Sequence, residues 1–130
     1  MATPENNFIG RVNKHVRSYK EKTNNPYRGG TPDVYYEGSF HLWVEYKFIL
    51  LPKRNTTLIV PELSELQKAW LRRCDKNTGC ARVIVGCKEG GTVFEFPAEW
   101  ETGMTTVNFK LHLFTVKELG TYIDTLCKPI

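Results

Sequence analysis

The sequence predicts an α/β fold, a mixed central β-sheet flanked by helices with a further strand and helix at the C-terminal end. Three observations carry this expectation. Near the start, apolar residues recur at the three-to-four-residue spacing of an amphipathic helix. Two later runs, Phe40–Leu51 and Arg82–Val85, are almost continuously apolar, as strands covered on both faces are. Between those runs lies a second helical segment bounded by Ser64 and Gly79.

Thr3-Pro4-Glu5 reads as a helix start, with a threonine cap, proline in the first position and an acid in the positive first turn. Phe8, Ile9, Val12, Val16 and Tyr19 then form one face, which predicts a helix to about Lys20, ended by Thr23-Asn24-Asn25-Pro26. Glu5 falls on that apolar face. After the glycine-rich turn Arg28–Pro32, Asp33–Glu37 has the β-branched and aromatic content of a strand, and Gly38-Ser39 is a hairpin turn into Phe40–Leu51. Pro52–Thr57 is a polar loop. Ser64 opens a helix whose apolar side is Leu63, Leu66, Trp70 and Leu71, and Gly79 closes it. Ala81–Cys87 and Thr92–Phe96 are two further strands joined by Lys88–Gly91. The alternation in Val107–Phe114 predicts an edge strand, and Thr115 with Glu118 caps a last helix carrying Leu119, Tyr122, Ile123 and Leu126.

A chain of 130 residues is near the common size of one domain, so a single domain over 1–130 is expected. The net charge of +4 favours a polyanionic partner without demanding one. No apolar run approaches the length of a membrane helix and no basic, apolar leader opens the chain, which predicts a cytoplasmic protein with no membrane partner. Cys74, Cys80, Cys87 and Cys127 lack the spacing of zinc ligands and read as free thiols, and His15, His41 and His112 form no ligand pair.

The chemistry concentrates in the first long strand. Side chains two apart on a strand share a face, so Glu45 and Lys47 project together roughly 7 Å apart. Asp33, at the start of the partner strand, reaches the same place. Two carboxylates and a lysine suit phosphodiester hydrolysis, because hard carboxylate oxygens bind Mg²⁺ or Mn²⁺ and leave positions for water and phosphate oxygens. Lys47 can orient or help deprotonate the attacking water, and the backbone carbonyl of Tyr46 is a further candidate ligand. The bland alternative is a solvated strand face with an ion pair. Trp43 and His41 share the Glu45 face, where an aromatic is more often core than substrate contact.

Thr31-Pro32-Asp33 followed by Val44-Glu45-Tyr46-Lys47 resembles the PD-(D/E)-x-K motif of the restriction-endonuclease-like nucleases, and the order of elements over residues 5–87 agrees with that core. Within that superfamily, the turn before Asp33 and Leu63-Ser64-Glu65-Leu66-Gln67 look most like the virus-type replication-repair nuclease (VRR-NUC) group. The resemblance implies a Mg²⁺-dependent DNA endonuclease of phage or prophage origin, acting on branched or flapped DNA such as a Holliday junction in the host cytoplasm, as a homodimer. It places Glu5 in the metal site, where the alternative is a first-turn acid facing the helix dipole. It places Gln67 near the scissile phosphate, where the alternative is a capping box with Ser64. Arg28, Lys53 and Arg54, and also Arg72 and Arg73, are candidate phosphate contacts. The competing functions are a restriction-type or DNA-recycling nuclease on ordinary DNA, and a catalytically inactive nucleic-acid-binding protein of the same fold. Residues after about Thr102 match nothing in the resemblance and are expected to be an embellishment or a dimer element.

Overall fold

The computed structural model describes residues 3–23 and 29–130. The predicted turn at Asn24–Pro26 and the candidate phosphate contact Arg28 lie outside the described residues.

Helix α1 (Pro4–Asn13) begins as expected, with the Thr3 hydroxyl accepting from the Asn6 amide at 3.1 Å. It ends seven residues earlier than its apolar spacing suggests. The Arg17 and Ser18 amides donate to the Asp124 carboxylate at 2.9 and 3.0 Å, so the chain is captured from a distant segment. It turns there into an edge strand, β1 (Tyr19–Lys22), where Tyr19 is exposed instead of packing beneath a helix.

Strands β2 (Val34–Glu37) and β3 (His41–Phe48) form the predicted antiparallel hairpin, with Val34 opposite Val44 and Glu37 opposite His41. A short strand, β4 (Leu58–Ile59), precedes α2 (Glu65–Thr78). Ser64 and Gln67 close a full capping box at the start of α2, and Gly79 ends it in the left-handed conformation. Then β5 (Ala81–Cys87) runs parallel to β3, placing Val83 beside Glu45, and β6 (Gly90–Phe94) returns antiparallel. The main sheet therefore has the order β1-β2-β3-β5-β6 and is mixed, with helices on both faces.

The segment 107–114 is not a strand. The chain instead forms α3 (Pro97–Thr102), β7 (Met104–Thr105), which pairs with β4, and α4 (Thr106–Leu111), with a single bridge from Phe114 to Gly91. The alternation was misleading because Val107 and Leu111 are exposed. What the core takes is Thr106 and Phe109, three apart on a helix whose Thr105 cap accepts from Asn108 at 3.3 Å. The last helix, α5 (Val116–Cys127), has the predicted Thr115/Glu118 capping box. Leu119, Ile123 and Cys127 pack beside α1 residues and Val44, so α5 is part of the main core and not an added embellishment.

The even residues of β3 enter that core, with Leu42, Val44 and Tyr46 lying among residues of α1 and α5. The odd residues face the α2 side. There Ala81, Val83, Val85 and Phe94 pack with Leu71, Trp100 and Phe109. No helix among the described residues is long and apolar enough to cross a membrane.

Candidate active site

Glu45 and Lys47 meet as their spacing requires. Lys47 Nζ lies 3.4 Å from Glu45 Oε2, with Glu45 only 2% exposed. Asp33 joins them because β2 stops pairing at Val34. One step beyond the ladder, the Tyr46 amide has no strand partner on that side, and Asp33 Oδ2 accepts from it at 2.9 Å. A strand residue directs its N–H and C=O to the same neighbour. The Tyr46 carbonyl therefore also faces this open end of the sheet.

The approach to Asp33 depends on Gly30. Its φ of +87° lies in the left-handed region, and a Cβ there would sit 2.4 Å from the Leu66 carbonyl oxygen. A bare glycine lets the turn press against the first turn of α2 and brings the hairpin and helix together. Gln67 completes the join: it forms the anticipated capping box, and its other end bonds Glu45, a contact the sequence reading did not foresee. Its Oε1 accepts from the Ser64 amide at 2.9 Å, and its Nε2 donates to Glu45 Oε2 at 3.0 Å. The capping box thus aims the amide at the carboxylate.

Glu45 Oε2 has two partners, whereas Glu45 Oε1 is buried with none among the described residues. Burial, then the charge of Asp33, push the Glu45 carboxyl up to about 8, against the opposing pull of Lys47. Asp33 is raised by burial, with the Tyr46 amide, Lys47 and a side-chain hydrogen bond from the protonated Glu45 carboxyl working the other way. The oxygen that lacks a protein donor therefore belongs to a carboxyl that shares its proton with Asp33. Glu5 is raised by burial and by Asp33 and lowered by Lys47, so it lies in the same field. Glu5, Lys47 and Gln67 line an open cleft of about 590 Å³. The cleft also exposes Glu62, which sequence reasoning did not single out; an acid after Pro61 in a loop carries no distinguishing signal.

A hard divalent cation fits these residues in part. Asp33, Glu45 and the Tyr46 carbonyl are the oxygen donors that would hold it, and the unpartnered Glu45 Oε1 is the acceptor that such an ion would satisfy. One ammonium plus one dication would also balance the three carboxylates. Among the described residues, however, no three acidic, histidine or cysteine side chains are gathered at metal-binding spacing, so Glu5, Asp33 and Glu45 do not together form a preformed set of ligands.

The other candidates are dispersed. Lys53 and Arg54 are exposed in a loop tied to α4, where Asn55 Oδ1 accepts from Lys110, and they do not line the cleft. Arg72 is held by Glu101 at 2.5 Å, and Arg73 lies over the Trp70 ring at 5.6 Å. Trp43 packs against Tyr35 and Trp70, with centroids 4.7 and 5.0 Å away, and exposed His41 stacks on Tyr35. No protein-family model matches the chain, and no curated protein matches it.

Proposed function

We propose that this chain is a Mg²⁺-dependent endonuclease of restriction-endonuclease-like architecture, similar to the VRR-NUC group, that hydrolyses phosphodiester bonds in branched or flapped DNA. The observation that carries the reading is the buried carboxyl pair of Glu45 and Asp33 beside Lys47, with no protein donor to Glu45 Oε1 among the described residues. A buried polar atom left without a partner is costly unless something outside the chain satisfies it. In this reading that partner is Mg²⁺ or Mn²⁺, which when bound supplies Lewis acidity at the scissile phosphate.

The protein's own groups divide the remaining work. Asp33 is aimed by the Tyr46 amide and Glu45 by the Gln67 amide, so both carboxylates are positioned before substrate arrives. Lys47, partly exposed at the cleft, donates to the incoming phosphate and orients the water that attacks phosphorus as the ester P–O bond breaks. Lys53 and Arg54 meet the DNA backbone farther out. Shape and backbone contacts dominate substrate choice, and base recognition contributes little. A homodimer with two-fold symmetry would deliver paired cuts at a junction.

The test is nicking by pure protein of a four-way junction, a flap and a plain duplex, each with Mg²⁺, with Mn²⁺ or with chelator. Metal-dependent cutting of the branched substrates supports the proposal. Equal cutting of plain duplex would favour the restriction-type or recycling nuclease, and DNA binding without cutting would favour an inactive binding protein.

A further inference from the structure

We propose that the outer face of α1, with Lys22, is a second nucleic-acid contact, a track for the phosphodiester backbone leading out of the cleft; this inference rests on the nuclease reading above. The track starts at the cleft wall. Phe48 lines the cleft together with Glu5 and Lys47, and it also borders a surface depression formed by Asn6, Asn7, Gly10, Arg11 and Lys14. One short helix therefore offers Glu5 to the cleft and a row of donors to the surface beyond it.

Charge is concentrated here. Residues 3–23 hold Arg11, Lys14, Arg17, Lys20 and Lys22 against Glu5 and Glu21, a net +3 of the chain's total of +4. From Asn6 to Lys14 there is no acid. Among the described residues neither Arg11 nor Lys14 has a salt bridge, whereas Lys47, Lys68, Arg72 and Arg82 each have one. Arg11 is instead held over the Phe8 ring at 5.7 Å, which steadies its guanidinium without neutralising it. Lys22 links this face to the cleft. Its Nζ lies 3.4 Å from Asn6 Oδ1, and its positive charge acts on Asp33.

Gly10 is the independent observation. It is exposed inside α1, its φ is not in the left-handed region, and a Cβ built on it meets nothing within 4 Å. Neither backbone conformation nor internal packing requires glycine, and glycine is a poor helix former. On a helix its neighbours are the residues three and four away, here Asn6, Asn7, Asn13 and Lys14, of which Asn13 turns inward to accept from the Tyr36 hydroxyl. The result is a bare patch of helix backbone ringed by two amides and an ammonium, a shape that admits a sugar–phosphate backbone at close range. Along the axis Arg11 and Lys14 lie roughly 9 and 14 Å from Glu5. That is the rise of about three to four nucleotides of a B-form strand.

The experiment is fluorescence anisotropy of a labelled flap DNA without metal, titrated from low to high salt, on the 130-residue chain and two variants whose folding is checked by thermal melting. For Arg11→Ala/Lys14→Ala the expected result is about tenfold weaker binding at low salt, and a log K against log salt slope reduced by about two, equally for two unrelated DNA sequences. For Gly10→Leu the expectation is a melting temperature higher by about 2–4 °C together with weaker binding, opposite signs that damage to the fold cannot produce. Unchanged affinity and slope in the double variant, with wild-type binding intact, overturns the track alone, as does a stabilised Gly10→Leu of full affinity. A wild-type protein that binds no flap DNA even at low salt overturns both the track and the nuclease reading.

Discussion

Successive residues of β3 place two buried polar groups on opposite faces of the sheet, and their surroundings differ in one respect. Tyr46 points into the α1/α5 core, where its hydroxyl lies 2.6 Å from that of Tyr36, which in turn donates to Asn13 Oδ1 at 2.6 Å. Both tyrosines are fully buried, and burial drives both well above the usual phenol range, so they stay neutral. Their network is closed. Glu45 is buried to the same degree, yet one of its oxygens has no partner and its nearest ionisable neighbours include Asp33 and Glu5. A satisfied buried network specifies the packing of a core, and an unsatisfied one is a reservoir that a bound group can draw on.

The largest effect should appear where the network is open. Asp33→Ala, Glu45→Ala and Lys47→Ala are each expected to lower the metal-dependent nicking rate at least about a hundredfold while DNA binding is largely retained, because these groups act on the transition state more than on affinity. Rates and anisotropy on the same preparations check this. Near-normal turnover in any of the three would remove it from the site.

Next in size, the two networks should respond oppositely to conservative changes. Tyr36→Phe leaves the Tyr46 hydroxyl buried without its partner and should cost about 1–3 kcal/mol of stability with nicking unchanged. Glu45→Gln should cost little stability, since the neutral amide stands in for a carboxyl that burial already keeps protonated and still offers an oxygen to Gln67 and Lys47, yet abolish nicking. Denaturant melts alongside rates decide the matter. A Tyr36→Phe variant of full stability, or an active Glu45→Gln, would erase the distinction.

The proton follows the same logic. Glu45 is raised from 4.5 to about 8, so between those values the folded chain holds a proton that the unfolded chain releases. The stability it contributes is complete below about 4.5 and is lost as pH rises through about 8. Asp33 and Glu5 are shifted in the same direction. Metal-free protein should therefore melt lower at pH 8.5 than at pH 5.5, and Glu45→Gln should reduce that difference. Added Mg²⁺ should raise the melting temperature more at pH 8.5, since cation and proton compete for the same oxygens. Equal stabilisation at both pH values would place the ion elsewhere.

What was legible in the sequence was local. The two-residue period fixed Glu45 and Lys47 to one face, and the caps at Ser64 and Thr115 set the starts of α2 and α5 through bonds three residues long. What was hidden was decided at a distance. Asp124 stops α1 from more than a hundred residues away, and the alternation at 107–111 gave way to a helix because β4, β7 and α4 pack together into the α2-side core through Ile59, Met104 and Phe109. At the site, the Asp33–Glu45–Lys47 group could be assembled from strand geometry, but the lone Oε1 could not, since it depends on what α2 does and does not bring. Gln67 was legible as a cap from the Ser64 spacing, but its bond to Glu45 was not, since that depends on how α2 docks against β3.

The smallest expected effect concerns Glu5, which stands between the two regions. It leaves the apolar side of α1, where Phe8, Ile9 and Val12 are buried in the closed core, and reaches the cleft, where it feels Asp33 and Lys47. If it serves the open network, Glu5→Gln removes one of three carboxylates that a divalent cation would balance, without touching the Asp33 and Glu45 oxygens. The rate at limiting Mg²⁺ should then fall several-fold and recover as Mg²⁺ is raised, because the loss is in cation affinity and not in the chemical step. The helix start is untouched, since Thr3 and the Asn6 amide make the cap. A Mg²⁺ titration of nicking, paired with a thermal melt in chelator, separates the roles. Loss of melting temperature with an unchanged Mg²⁺ dependence would return Glu5 to the helix as an acid facing the dipole.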